Sequence, residues 1–285
     1  MSQREQTASD PRMVPGRELP PAGTERLRRA FEQYTALSRR SIVGVLRKPT
    51  SFVPSLTFPL LFLALTSSAL AKSIELPGFP PVDSFMQFAM ATAVIQGTLF
   101  GSMSAGSAMA EDIEGGFFER LIASPVARTS IMAGRVGGAA FLGFMQAWLF
   151  LLIGSLFGVN VEGGFIGMLA IGTVAAILAA GIGSISVALA LRTGSAEAVD
   201  GSFPLFFSLL FLSSAYFPRV LMDGWFRNAA TANPLSHMIE GLRTIVIEGI
   251  DVMGLATALA IASGVLFVGL VAANLSLKRR LASVS

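Results

Sequence analysis

The feature that most constrains the fold is a series of long apolar stretches without a charged side chain, such as residues 136–157 and 252–277. A helix needs about 20 apolar residues to cross the roughly 30 Å hydrocarbon core of a bilayer, where its backbone must be hydrogen-bonded internally. Charged residues make up only 14% of the chain, whereas soluble domains carry about 25%. The sequence therefore predicts an all-α, polytopic membrane protein.

Six transmembrane helices are expected within a transmembrane domain that covers residues 50–285. The predicted spans are residues 52–71, 85–110, 136–157, 165–191, 201–217 and 252–277. The fifth span is the shortest, so it requires a locally thin bilayer or support from its neighbours.

Two different segments precede the first span. Residues 1–23 are polar and rich in proline, a composition typical of a disordered tail. Residues 24–49 combine apolar residues at helical spacing with several arginines. A basic amphipathic helix beside a span is expected to lie in the membrane interface. A solvated helix that only adds positive charge to one side is the alternative.

Lysine and arginine are distributed unevenly along the chain. If the N-terminus is inside, the inner segments hold 17 of the 21 basic residues, and the outer segments hold Lys72, Arg219, Arg227 and Arg243. Because cytoplasmic loops are enriched in Lys and Arg, both termini are predicted to be cytoplasmic, in a plasma (inner) membrane. The basic pI is explained by this topology, so nucleic acid is not an expected partner.

A charged stretch separates the second and third predicted spans. Three acidic residues close the second span, and Gly115-Gly116 then break the helix. Residues 117–123 predict a short amphipathic helix that begins with Phe117-Phe118 and is stopped by Pro125. Exposed paired aromatic side chains need contact with protein or lipid, so this helix is expected to fit a groove on a soluble partner. A charged loop that only separates two spans is the alternative.

The segment 225–249 precedes the last predicted span and has its own helix pattern. Asn233 is a good N-cap, and Pro234 is suited to the first helical position. From Leu235 onward, apolar residues recur at i, i+3, i+4 and i+7. We therefore predict a re-entrant helix that dips into the outer leaflet or lies on it.

The polar residues of this segment do not indicate catalysis. Glu240 and Arg243 are three residues apart, and an exposed pair at this spacing contributes a few tenths of a kcal/mol. His237 is the single histidine, and the chain has no cysteine, so no metal site is expected. The sequence also lacks a Gly-Lys-Ser/Thr phosphate-binding loop. The chain is therefore not expected to be an enzyme or to bind a cofactor, and energy for uphill transport must come from another chain.

These features resemble the permease subunit of ABC transporters of the type-2 export class, in particular its antibiotic-resistance (daunorubicin-resistance-like) branch. The stretch EGGFFERL at residues 114–121, followed by SPVAR at 124–128, is similar to the family pattern E-x-G-T-L-E-R-L and T/S-P-V-x-R. The stretch from Asn233 to Arg243 is similar to the family's N-P-L…E-A-L-R helix. Gly-Phe-Phe here replaces the commoner Gly-Thr-Leu, and Gly241 stands where alanine is usual.

The resemblance implies a complex of two permease subunits, as a homodimer or heterodimer, with two ATPase subunits that bind ATP and Mg. Residues 115–123 would be the coupling helix. The implied ATPase contacts are Glu114, Gly115, Gly116, Phe117, Phe118, Glu119, Arg120, Leu121 and Pro125. The re-entrant helix is identified by Asn233, Pro234, Leu235, Glu240 and Arg243.

The implied activity is export of an amphiphilic drug, lipid or related compound from the cytoplasm or inner leaflet. No substrate-binding residue is assigned from the sequence. An ATP-independent channel or carrier is the alternative function. A membrane-embedded enzyme is disfavoured, because the sequence offers no candidate nucleophile, metal site or carboxylate pair.

Overall fold

The computed structural model describes residues 23–47, 49–123 and 128–284. These residues form eleven α-helices, and no β-strand occurs among them. The helices are α1 (Gly23–Leu46), α2 (Pro49–Ala69), α3 (Phe85–Glu114), α4 (Phe117–Ala123), α5 (Arg128–Leu156), α6 (Gly164–Thr193), α7 (Ala196–Asp200), α8 (Phe203–Phe211), α9 (Gly224–Ala232), α10 (Pro234–Ile247) and α11 (Val252–Val284). The predicted tail before Gly23, and Pro125, lie outside the described residues.

Four helices in the described part of the chain are long and apolar enough to cross a membrane. They cover Phe85–Glu114, Met132–Leu156, Gly164–Thr193 and Val252–Ala282, and a shorter apolar helix covers Val53–Ala69. The all-α membrane fold is thus confirmed, whereas the count of six spans is not. Helix α2 contains Pro54 and Pro59, each of which removes one helical hydrogen bond.

The continuous fifth span predicted at 201–217 is not formed. Helix α7 ends at Asp200, and α8 covers only nine residues, which rise about 13 Å. Gly201 caps the end of α7, Pro204 lies in the first turn of α8, and the chain leaves helical geometry after Leu212. An apolar composition predicted a span here, but it does not show where the backbone unwinds.

Helix α6 is the centre of the bundle and packs on α3, α5 and α11. Glycines bring these helices close together. A Cβ added at Gly106 of α3 would lie 2.6 Å from the Ser186 carbonyl carbon, and one added at Gly181 would lie 2.7 Å from the Leu266 nitrogen. Such backbone contact is how membrane helices pack without a hydrophobic driving force between them.

The long helices define two opposite ends of the bundle. Helix α4 lies where α3 ends and α5 begins, which we call the α4 end. Helix α10 packs near the other end of α3 and on α11, which we call the α10 end. Helix α1 runs along α5, where Gly134 and Gly138 face Leu37 and Ser41.

Candidate functional site

The chain turns from α3 into α4 through Gly115 and Gly116, as the sequence predicted. Gly116 has a φ of +65°, in the left-handed region that glycine adopts most readily. Its N–H donates to the Ile113 carbonyl at 3.0 Å, and the Gly115 N–H donates to the Glu111 carbonyl at 2.9 Å. The double glycine therefore closes α3 and reverses the chain into α4.

The prediction that both phenylalanines of α4 project toward a partner is wrong for Phe118. Its side chain is 1% exposed and lies in a buried apolar cluster with residues of α3, α5, α6, α7 and α11. Phe117 is half-buried, and the Arg40 guanidinium of α1 lies 4.0 Å from its ring centroid. Burying a Phe side chain contributes about 1.5–3 kcal/mol to stability, which favours the inward orientation of Phe118. The sequence did not predict this orientation, because seven residues are too few for periodicity to identify the inner face of a helix.

The outer face of α4 is formed by Glu119, Arg120 and Ala123, which are exposed. Glu119 forms an ion pair with Arg280 of α11 at 3.6 Å. Arg120 donates from Nε to the Gly116 carbonyl at 3.3 Å. Leu121 is half-buried and packs against the cluster around Phe118. The surface that α4 leaves uncovered is therefore charged rather than aromatic.

Asp112 ties three helices together beside α4. Its carboxylate accepts hydrogen bonds from Arg40 of α1, at 3.0 and 3.3 Å, and from Arg135 of α5. The Asp112 and Arg135 side chains are 17% and 11% exposed, whereas Arg40 is 47% exposed. The inner pair is thus more strongly shielded from solvent than the outer pair.

Glu114, predicted to contact an ATPase, has its described hydrogen bond within the chain. Its Oε1 accepts from the Ala196 backbone N–H at 2.9 Å. Ala196 is the first residue of α7. The segment that precedes α4 is thereby joined to the segment that precedes α8.

Helix α10 begins at Pro234, and Asn233 caps it as the sequence predicted. The Asn233 Oδ1 accepts from the Leu235 N–H at 2.9 Å. The Asn233 Nδ2 also donates to the carbonyls of Leu209 and Leu212, at 2.6 and 3.0 Å. One side chain therefore caps α10 and satisfies the carbonyl groups at the end of α8.

Arg243 is buried among backbone carbonyls rather than paired at the surface. It is 5% exposed, and its Nη2 donates to the Ser214 and Ala215 carbonyls, each at 2.9 Å. Its Nε donates to the Phe88 carbonyl at 2.9 Å, and its guanidinium lies 3.6 Å from the Phe88 ring centroid.

Glu240, three residues before Arg243, pairs with Arg219 and not with Arg243. The unwound backbone after α8 explains the difference, because buried carbonyls without partners are unfavourable in a membrane. Arg243 supplies those partners from the neighbouring helix.

A cavity of about 720 Å³ lies between α1, α2, α3, α5, α7 and α8. One part of its wall is charged and comes from Arg40, Glu111, Asp112, Arg135 and Asp200. Another part is aromatic and comes from Phe58, Phe100, Phe203 and Phe207. Its volume is in the range of about 300–1,000 Å³ found for ligand pockets.

The rings in the aromatic part of the wall contact one another. The rings of Phe100 and Phe203 stack with centroids 4.6 Å apart, and Phe203 and Phe207 stack at 5.5 Å. Phe58 meets Phe100 edge-on at 5.3 Å. Sequence reasoning assigned none of these residues, because they come from three helices whose facing sides no local pattern reveals. Within the described ranges, no group of His, Cys, Asp and Glu is arranged to hold a metal ion.

Comparison with known proteins finds that the chain is similar to a transporter family and to individual permeases. The family model described as ABC-2 type transporter matches residues 32–247. The transport permease named ycf38 of Porphyra purpurea is 28% identical, over 75% of this chain and 74% of its own length. The daunorubicin resistance ABC transporter permease protein DrrB1 of Streptomyces coeruleorubidus is 24% identical, over 73% of this chain and 72% of its own length.

Proposed function

The chain belongs to the ABC-2 type transporter family, and on that premise we propose that it is the membrane subunit of an ATP-driven exporter. The ATP would be hydrolysed by a separate ATPase subunit that docks at the α4 end. Two permease subunits would share two ATPase subunits, in a plasma membrane with the α4 end in the cytoplasm.

The main support for this proposal is the position of α4, which has one face buried in the bundle and one face exposed to solvent. Its inner face is fixed by the buried Phe118, and its outer face presents Glu119 and Arg120 to solvent. The neighbouring Asp112 joins α3 to α1 and α5 through two arginines. A soluble partner that shifts α4 would therefore act on several long helices together.

The cavity favours an amphiphilic transported compound. Stacked phenylalanine rings offer flat apolar contact to a ring system or an acyl chain, while the charged wall suits a polar group. The DrrB1 relative is named for daunorubicin resistance, and we propose drug export on that basis. The cavity lies beside α1 at the α4 end, where a compound from the cytoplasm or inner leaflet would enter.

A charge-reversal pair tests the docking role of α4. Arg120→Glu changes the exposed face of α4, and Arg227→Glu makes the same change at an exposed position of α9. We expect Arg120→Glu to abolish both co-purification with an ABC ATPase and ATP-dependent transport, while Arg227→Glu retains both. Phe118→Asp is unsuited to this test, because it places a charge in the core.

Transport by the permease alone separates this proposal from a channel or carrier. Proteoliposomes that contain the permease without an ATPase should show no concentrative transport of a fluorescent amphiphile. Uphill movement without ATPase and ATP, or normal function of Arg120→Glu, would show that the proposed mechanism is incorrect.

A further inference from the structure

Helix α7 has five residues, Ala196–Asp200, and is held against α3 at both of its ends. At its start, the Ala196 N–H donates to the Glu114 carboxylate at 2.9 Å. At its end, Asp200 Oδ1 accepts from the Ser107 hydroxyl at 2.6 Å. Ser107 and Glu114 are seven residues apart, which places them on the same side of α3 after two turns.

The position of α7 gives these two bonds a consequence for the cavity. Ala196 and Asp200 both line the cavity, and so do Phe203 and Phe207 of α8, which follows immediately. Val199 is fully buried in the cluster that also holds Phe118. A displacement of α7 would therefore change the cavity wall directly and would carry the aromatic part of α8 with it.

Glu114 is also the last residue of α3 before the turn into α4. Only Gly115 and Gly116 separate it from Phe117, and they form the turn itself. A rotation of α4 about this turn acts first on Glu114. The carboxylate bond then transfers the movement to α7 across 82 residues of sequence separation.

From this geometry we propose that Glu114 is a positioning residue that couples α4 to the cavity wall through its hydrogen bond to α7. The proposal rests on the function proposed above and deepens it. It assigns Glu114 an internal role, in place of the ATPase contact implied by the family resemblance. The role needs an acceptor oxygen at this position and does not need a negative charge.

The requirement for an acceptor separates the two roles. Glu114→Gln keeps an amide oxygen that can accept from the Ala196 N–H, whereas Glu114→Ala removes the acceptor. An ionic contact with an ATPase would fail in both variants. An internal hydrogen bond would fail in Glu114→Ala and survive largely intact in Glu114→Gln.

The first measurement uses the permease alone. The chain has no cysteine, so Glu197→Cys on the exposed side of α7 takes a single nitroxide spin label. We expect the label to become more mobile in Glu114→Ala and to keep its spectrum in Glu114→Gln. Asp223→Ala, which removes an exposed carboxylate near α9, is the matched control and should change nothing. An unchanged spectrum in Glu114→Ala would overturn the proposed link.

The second measurement uses the complex with its ATPase. We expect Glu114→Ala to bind the ATPase and hydrolyse ATP, with the transport rate per ATP reduced about tenfold, as for the loss of one hydrogen bond. Glu114→Gln should retain most of the transport. Equal loss in both variants would overturn the link and favour an ionic ATPase contact. If the spectra change as expected but the unmodified complex shows no ATP-driven transport, the link stands and the proposed function fails.

Discussion

Removing the Arg243 side chain is expected to destabilise the α10 end more than any surface change of the same residue type. The guanidinium bonds to three carbonyls, but they do not depend on it equally. The Ala215 carbonyl keeps a hydrogen bond from Thr92 Oγ1 at 2.8 Å. The Phe88 carbonyl belongs to the interior of α3, where a carbonyl accepts a helical backbone hydrogen bond that does not involve Arg243. The Ser214 carbonyl has no other bond from the described residues.

The loss in free energy of unfolding can be estimated from these differences between the three carbonyls. An unsatisfied buried carbonyl costs about 1–3 kcal/mol, and the charged bonds contribute about 1.5–3 kcal/mol each. Truncation also leaves a cavity, while relief from burying a charge offsets part of the loss. We expect Arg243→Ala to lower the free energy of unfolding by roughly 3–5 kcal/mol.

The assay is thermal unfolding of the purified protein in detergent, followed by size-exclusion chromatography. At about 2–4 °C per kcal/mol, Arg243→Ala should lower Tm by roughly 10 °C. Arg243→Lys should give an intermediate loss, since one ammonium group cannot reach the Phe88 and Ser214 carbonyls in the same fork geometry. Arg227→Ala, an exposed arginine of α9, is the control. A Tm for Arg243→Ala equal to that of the control would show that the Arg243 hydrogen bonds do not stabilise the α10 end.

Three further outcomes follow from the same structure. Asp112→Asn removes the carboxylate that pairs with the shielded Arg135, so it should lower the free energy of unfolding in detergent by about 2–4 kcal/mol. Arg40→Gln, at a more exposed position, should change this free energy by less than about 1 kcal/mol. Equal effects of the two substitutions would contradict the difference in burial between Arg135 and Arg40. Gly106→Val should prevent stable packing of α3 on α6, because Ser186 already lies against this glycine, while Gly264→Val, which has open space, should express and melt normally. Asp200 accepts from Ser107, and none of the ion pairs among the described residues includes it. Asp200→Asn should therefore weaken binding of an aromatic cation such as ethidium to the purified permease by about three- to tenfold and leave binding of an uncharged aromatic dye unchanged. Equal changes for both dyes would exclude charge recognition by Asp200.

The local parts of the fold were predictable from the sequence. Asn233 and Pro234 predicted the start of α10, because an N-cap and a proline act through the first turn alone. Gly115-Gly116 predicted the break after α3 for a similarly local reason. Apolar runs indicated where α3, α5, α6 and α11 lie, since length and hydropathy are properties of a single segment.

The contacts between segments were not predictable from local patterns. Arg243 bonds to a carbonyl 155 residues away, and its burial depends on unwound backbone after α8 that apolar composition conceals. Phe118 faces inward because residues of α3, α5, α6, α7 and α11 surround its side chain, which a seven-residue pattern does not encode. The cavity likewise arises where six helices meet, so its lining could not be assigned before the helices were placed.

Docking of a separate ATPase at the α4 end can be measured by photo-crosslinking from α4. Because the chain has no cysteine, Ala123→Cys on the exposed face of α4 accepts a single benzophenone label and leaves Glu119 and Arg120 unchanged. Arg227→Cys provides the same label on α9. After irradiation in native membranes, crosslinked proteins are identified by mass spectrometry. We expect an ABC ATPase subunit to be crosslinked to Ala123→Cys and none to Arg227→Cys. Absence of an ATPase at Ala123→Cys, or equal capture at both positions, would show that the ATPase does not dock at the α4 end.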